Sequence, residues 1–171
     1  MDLKSFIHDV PDFPTPGINY KDITPLLQDP LGFRVALDRM AEHFLGQEVD
    51  AVVGIESRGF IFGAPLALDL GVAFVPARKS GKLPRSTRSV EFSLEYGTAV
   101  MEIHEDGVLP GKRVVIADDV LATGGTLDGA RKLVEELGGH VIGATVLLEL
   151  EGLKGRQKLA GMDVFSVLRY P

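Results

Sequence analysis

The segment Val114-Val115-Ile116-Ala117-Asp118-Asp119-Val120-Leu121-Ala122-Thr123-Gly124-Gly125-Thr126 constrains the fold of this chain more than any other stretch. Its four leading apolar residues read as a buried strand, and the small residues after the acids read as a turn that opens a helix. A strand feeding a helix through a glycine-containing turn is the building unit of α/β proteins. The expected fold is therefore α/β, a mostly parallel sheet flanked by helices, with ligands at the carboxyl ends of the strands.

The same segment carries chemistry. Glycines let a ligand approach the main chain, the turn's N–H groups point inward, and a helix amino terminus favours an anion. Thr123 and Thr126 add hydroxyl donors, so Ala122, Thr123, Gly124, Gly125 and Thr126 suit a phosphate monoester. Asp118 and Asp119 repel a phosphate but offer paired acceptors to a vicinal diol. A phosphorylated sugar satisfies both halves. No lysine follows Gly125 as a nucleoside-triphosphate loop requires, and the dinucleotide fingerprint is absent after the strand.

Other elements are read from the same kind of pattern. The prolines at 11, 14, 16, 25 and 30 exclude a continuous helix or central strand from the first thirty residues, which read as an ordered arm with a short helix near Leu3–Ile7. Asp29-Pro30 caps an amphipathic helix through Phe33, Leu37, Met40 and Phe44 that ends near Gly46. Ala51–Ile55 and Val72–Val75 read as strands, with a helix between them whose start is obscured by Pro65. Phe92–Tyr96 and Ala99–Ile103 flank Gly97-Thr98 as a hairpin or flap. Further expected elements are a helix over Thr126–Leu137, a strand over Val141–Leu148 and an edge strand over Val164–Leu168.

At 171 residues, with 45% apolar and 25% charged residues, the chain suits one soluble domain over 1–171. No apolar run reaches membrane-spanning length and the amino terminus resembles no targeting segment. The absence of cysteine excludes disulfides, thiolate metal sites and thiol nucleophiles and is compatible with the cytoplasm, the expected location. A net charge of −6 disfavours nucleic acid or anionic membrane as a partner. Against that background, Arg78, Lys79, Lys82, Arg85 and Arg88 form a cationic stretch with no acid between Pro76 and Val90. His8, His43, His104 and His140 show no metal-ligand spacing.

The Val114–Thr126 segment resembles the hallmark of the type I phosphoribosyltransferases: four apolar residues, two acids and a threonine- and glycine-rich turn. Further blocks are similar to the adenine-using members of that family. They are Phe13-Pro14-x-Pro16-Gly17-Ile18 with Asp22-Ile23-Thr24-Pro25, Glu56-Ser57-Arg58-Gly59-Phe60, Arg78-Lys79-x-Gly81-Lys82-Leu83-Pro84 and Ser93-Leu94-Glu95-Tyr96-Gly97. The resemblance implies transfer of the phosphoribosyl group of 5-phosphoribosyl 1-pyrophosphate to N9 of adenine, giving AMP and pyrophosphate. By resemblance, Asp118 and Asp119 take the ribose hydroxyls and Ala122 to Thr126 the 5′-phosphate. Arg58, Arg78, Lys79 and Lys82 take pyrophosphate, with Lys82 in a flexible hood spanning 78–104.

Also by resemblance, Glu95 manages the proton of the purine ring. Asn19, Tyr20 and Lys21, in the arm spanning 1–30, read adenine through main-chain groups and ring stacking, and Leu150 covers the opposite face. Family members often have Val-Phe-Arg where this chain has Asn19-Tyr20-Lys21. Mg2+ held mainly by substrate oxygens and water is the implied cofactor, and a homodimer the implied assembly. Two alternatives stay open at this point: a phosphoribosyltransferase for hypoxanthine, guanine or xanthine, and a regulator that senses phosphoribosyl pyrophosphate without catalysis.

Overall fold

The computed structural model describes all 171 residues, Met1–Pro171. The chain forms two compact units, residues 1–39 and 40–171. In the first, a 3-10 helix (Leu3–Phe6) precedes an antiparallel ribbon of β1 (His8–Pro11) and β2 (Asn19–Asp22) in which Val10 faces Tyr20. The prolines limit this ribbon rather than prevent it, since Pro11 ends β1 at the loop end of a two-stranded pair, where both strands are edges. Helix α1 (Thr24–Gln28) starts with Pro25 in its first turn, where a missing N–H costs nothing. Helix α2 (Pro30–Phe44) begins in this unit and ends in the second.

The second unit is built on a seven-stranded sheet. Its strands are β3 (Ala51–Ile55), β4 (Ala73–Lys79), β5 (Thr87–Ser93), β6 (Thr98–His104), β7 (Arg113–Leu121), β8 (His140–Leu150) and β9 (Val164–Tyr170). The order across the sheet is β5-β6-β4-β3-β7-β8-β9. The pairs β4–β3, β3–β7, β7–β8 and β8–β9 are parallel, and the β5–β6 hairpin joins β4 antiparallel. The sheet is thus mostly parallel, with β9 at the edge expected of it.

Helices cover both faces, and the parity of the strand residues shows which covers which. Val53, Ile55, Val114, Ile116, Ala144 and Val146 point toward Leu127, Ala130, Leu133 and Val134 of α4 (Gly125–Glu136) in one continuous core. Gly54 and Ala117 point the other way, against Gly63 of α3 (Arg58–Leu70). Removal of these core side chains from water supplies the main driving force for this layering. Pro65 lies inside α3 rather than before it, because buried Phe62, Leu66 and Ala67 flank it and hold the helix to the sheet. Gly71, at φ 67°, closes that helix.

Three boundaries differ from the sequence reading in ways that matter for the site. Strand β7 continues through Asp118 and Asp119 to Leu121, so the acid pair lies within the ladder and not just beyond it. Strand β4 runs on to Lys79, and Arg88 lies in β5, so the cationic stretch is a strand end, a connection and a second strand. Two further 3-10 helices, Glu151–Leu153 and Gly155–Leu159, occupy a stretch for which no element is expected.

Candidate active site

The parallel strands β3, β4 and β7 end side by side, and their carboxyl ends surround a cavity of about 400 Å³. Its lining includes Ala122, Thr123, Gly124 and Thr126 of the turn, Asp118 and Asp119 of β7, and the cations Arg58, Lys79 and Lys82. Gly125 does not line it; a Cβ at Gly125 would fall 1.9 Å from the carbonyl oxygen of Ser93, at the end of β5. That glycine therefore serves the close approach of the hairpin to the turn.

The acid pair is held by burial and by local bonds. Asp118 and Asp119 are only 7% and 6% exposed, which for two adjacent carboxylates is unusual enough to require partners. The Asp119 amide donates to Asp118 Oδ1 at 2.8 Å, and the Arg58 guanidinium bonds Asp119 Oδ2. Arg58 is the first residue of α3, and its successor is glycine for a steric reason: a Cβ at Gly59 would lie 2.9 Å from both Ala117 O and Asp118 Oδ1. Burial pushes the Asp118 carboxyl well above its ordinary range, and the neighbouring Asp119 charge pushes it the same way.

The turn after β7 is shaped by main chain. Gly124, at φ 86°, caps α4 in the left-handed region, and its carbonyl accepts the Asp128 amide at 3.0 Å. The amides at the start of α4 have no intrahelical acceptors, which leaves them available to an anion.

Across the cavity the cations converge on one acid. Glu56 Oε2 accepts from Lys82 Nζ at 2.8 Å and from Arg78 Nη2 at 3.3 Å, while Oε1 accepts from the Lys79 amide at 3.1 Å and Arg78 Nε at 3.3 Å. Burial alone would push Glu56 up, but these donors outweigh it and hold the carboxyl at about 2. The Glu56–Ser57 peptide bond is cis. On the outer side, Glu102 of β6 accepts from Ser80 Oγ at 3.0 Å and from the Gly81 amide at 3.3 Å. The connection between β4 and β5 is thus tied at both ends of Gly81.

The structure brings together Arg58, Lys79, Lys82, Asp118, Asp119 and the turn residues other than Gly125. Arg78 lines an adjoining cavity of about 190 Å³, which shares Glu56, Lys79 and Thr126 with the first and has Phe92, Leu94 and Met101 in its wall. Glu95 is exposed in the turn of the β5–β6 hairpin, closed by the Leu94 amide on Gly97 O at 2.9 Å, and lines neither cavity. Leu150 is half-buried at the end of β8 and lines neither. In the other unit, Asn19, Tyr20 and Lys21 lie on β2; Tyr20 meets Phe13 edge-on at 5.2 Å and Lys21 pairs with Asp9.

Glu56 and Gly59 belong to this site although residue-type reasoning assigned them no role. No local motif marks them; the strand register does, since Ile55 pairs with Ala77 and the residues that follow on the two parallel strands, Glu56 and Arg78, emerge side by side. A third parallel strand brings Asp118 alongside.

Residues 26–167 match the phosphoribosyl transferase domain family. The chain is 54% identical over 170 residues to adenine phosphoribosyltransferase of Carboxydothermus hydrogenoformans, covering 99% of this chain and 100% of that one. The chain belongs to the adenine phosphoribosyltransferase family. Among solved structures, the adenine phosphoribosyltransferase of Thermoanaerobacter pseudethanolicus superposes with a TM-score of 0.96 at 51% identity, covering 99% of this chain and 98% of that one. The Saccharomyces cerevisiae enzyme, solved with an imino-altritol bisphosphate and adenine, superposes with a TM-score of 0.91 at 40% identity, covering 97% and 96%. As in other adenine phosphoribosyltransferases, the sheet is mostly parallel and flanked by helices. Against this family background the cavity at the ends of β3, β4 and β7 is the candidate active site.

Proposed function

We propose that this adenine phosphoribosyltransferase uses the cavity at the ends of β3, β4 and β7 to transfer the phosphoribosyl group of 5-phosphoribosyl 1-pyrophosphate to N9 of adenine, releasing pyrophosphate and forming AMP. One observation carries the reading: a buried acid pair, a main-chain anion turn and a set of cations line the same 400 Å³ cavity. A ligand with a diol, a monophosphate and a second anionic group matches those three surfaces at once. The yeast relative's complex with adenine and a bisphosphate supports adenine as the acceptor.

Asp118 and Asp119 accept from the ribose 2′- and 3′-hydroxyls, and the Ala122–Thr126 turn donates to the 5′-phosphate. With both ends of the sugar phosphate held, the anomeric carbon is fixed between the leaving group and the base, and positioning supplies much of the rate. Arg58, Arg78, Lys79 and Lys82 stabilise the charge that grows on departing pyrophosphate. Glu95 accepts or holds the proton of the purine ring as N9 attacks, which requires the β5–β6 turn to move toward the base. Asn19, Tyr20, Lys21 and Leu150 recognise adenine, chiefly through main-chain groups.

Mg2+ would supply additional charge neutralisation on pyrophosphate. As a small hard cation that keeps several waters beside phosphates, it would be held by substrate oxygens and water. No helix is long and apolar enough to cross a membrane. A cytoplasmic homodimer, built from one phosphoribosyltransferase domain over 1–171 with an arm at 1–30 and a hood at 78–104, completes the reading.

A base-competition assay tests the assignment. With phosphoribosyl pyrophosphate and Mg2+, adenine is expected to yield its monophosphate while guanine, hypoxanthine and xanthine do not compete. Preferential formation of GMP or IMP would overturn the choice of base, and no product from any purine would favour the sensing regulator.

A further inference from the structure

The phosphate turn is braced from behind by a part of the chain that has no role in the reading above. Gly155, the first residue of the 3-10 helix Gly155–Leu159, meets the turn main chain to main chain. A Cβ on Gly124 would lie 2.5 Å from the Gly155 carbonyl oxygen, and a Cβ on Gly155 would lie 2.4 Å from the Ala122 carbonyl oxygen and 3.1 Å from the Gly124 nitrogen. Nothing with a side chain fits at either position without separating the two segments. The backbone of Gly155 is not in the left-handed region, so its requirement for glycine is one of space alone.

The next residue fixes this contact. The Arg156 guanidinium grips the Glu149 carboxylate with both prongs, Nε to Oε1 at 2.6 Å and Nη2 to Oε2 at 2.7 Å. It also donates from Nη1 to the Val164 carbonyl at 2.9 Å and from Nη2 to Ser166 Oγ at 3.2 Å, and Ser166 in turn donates to Glu149 Oε2 at 2.6 Å. Glu149 is 4% exposed near the end of β8, beside Leu121 on β7 and Arg169 on β9. The planar fork leaves Arg156 one orientation relative to the two strands.

We infer that Arg156, locked onto Glu149, is a positioning residue for the 5′-phosphate site: it sets Gly155, and Gly155 sets the Ala122–Gly124 main chain. The inference rests on the reading of that turn as the phosphate site. Neither Arg156 nor Gly155 lines the cavity. The pair acts through the turn, which distinguishes it from the residues that touch substrate.

The test compares ligands that use the turn with one that does not. Calorimetric titration of AMP, ribose 5-phosphate and pyrophosphate with Mg2+ is run on the unaltered protein and on Gly155→Ala, Arg156→Lys and Thr126→Val, each first checked by thermal melting. Because a Cβ at Gly155 displaces the main chain of the turn, and a lost hydrogen bond to a charged group costs about tenfold or more in affinity, Gly155→Ala is expected to weaken AMP and ribose 5-phosphate about tenfold or more and pyrophosphate by less than about twofold. Arg156→Lys, which keeps the charge but loses the fork, is expected to fall between that variant and the unaltered protein. Should Gly155→Ala fail to fold, Arg156→Lys carries the comparison. Unchanged ribose 5-phosphate affinity in a folded variant, or an equal loss for pyrophosphate, overturns the inference. Thr126→Val separates the two levels: if it too leaves ribose 5-phosphate binding intact, the reading of the turn itself fails.

Discussion

The two sides of the cavity are built by different means. On the β7 side, the acids are buried within a strand ladder, the turn is shaped by Gly124 in the left-handed region, and Gly59 and Gly155 press in where no side chain could fit. On the β4 side, the working groups are long cationic side chains, with Arg78 35% and Lys82 49% exposed, gathered around a single carboxylate. The first kind of construction fixes atoms before a ligand arrives, as suits the sugar phosphate, which stays bound throughout the reaction. The second can follow a group that leaves. Changes on the two sides should therefore separate binding of the sugar phosphate from handling of the leaving group and the proton.

The largest expected effect tests whether the exposed hairpin side takes part in the chemistry at all. Glu95→Gln should lower kcat by roughly a hundredfold to ten-thousandfold, the usual range for general acid–base groups, with phosphoribosyl pyrophosphate affinity nearly unchanged. Steady-state AMP formation set beside a direct titration reads both quantities. Unchanged turnover would remove Glu95 from the mechanism, and the β4 side of the site would be reduced to binding.

Glu56→Gln offers a sharper contrast. Loss of the charge that gathers Arg78 and Lys82 should weaken pyrophosphate by about tenfold, of the order expected for hydrogen bonds to a charged group, while AMP affinity holds. Equal losses for both ligands would erase the distinction between the two sides. The same variant has a predicted pH signature. Glu56 titrates at about 2 against an ordinary 4.5, so the stability it contributes is full above 4.5 and is lost as pH falls through about 2. Melting curves should show the unaltered protein's advantage over Glu56→Gln shrinking across that acid window and constant above it.

The smallest effect concerns the rigid side and has the opposite sign. Because burial and Asp119 raise the Asp118 pKa, stability falls as pH rises from the ordinary carboxylate value through the raised one, and the full cost of the ionised carboxylate stands above it. Asp118→Asn keeps an acceptor for the Asp119 amide and removes the charge. At pH high enough to ionise Asp118, relief of about 1 kcal/mol would raise Tm by about 2–4 °C, and the gain should vanish toward acid pH. A lower Tm at all pH values would mean that the acid pair is not under electrostatic strain.

Much of this arrangement was legible in the sequence because it is local. Ala51–Ile55 is a strand with the bounds its apolar run suggests, the Asp29-Pro30 start of α2 follows from capping chemistry, and the glycine-threonine turn opens α4 where helix-terminus physics places it. What could not be read depends on register and on contacts between distant segments. Glu56 gathers the cations because Ile55 pairs with Ala77, and Gly155 meets Gly124 from a distant part of the chain, beside the Arg156–Glu149 pair. Pro65 obscures the start of α3 for the related reason that packing of Phe62 and Leu66 outweighs a local breaker. Resemblance, rather than periodicity, located the residues assigned to adenine.

The buried acids on β7 are proposed to hold the ribose diol. Calorimetric titration of phosphoribosyl pyrophosphate into the Asp118→Asn, Asp119→Asn double variant tests it most directly, with folding verified by melting. Loss of two charge-assisted pairs of hydrogen bonds predicts an affinity lower by about a hundredfold or more. An affinity equal to that of the unaltered protein would contradict the account.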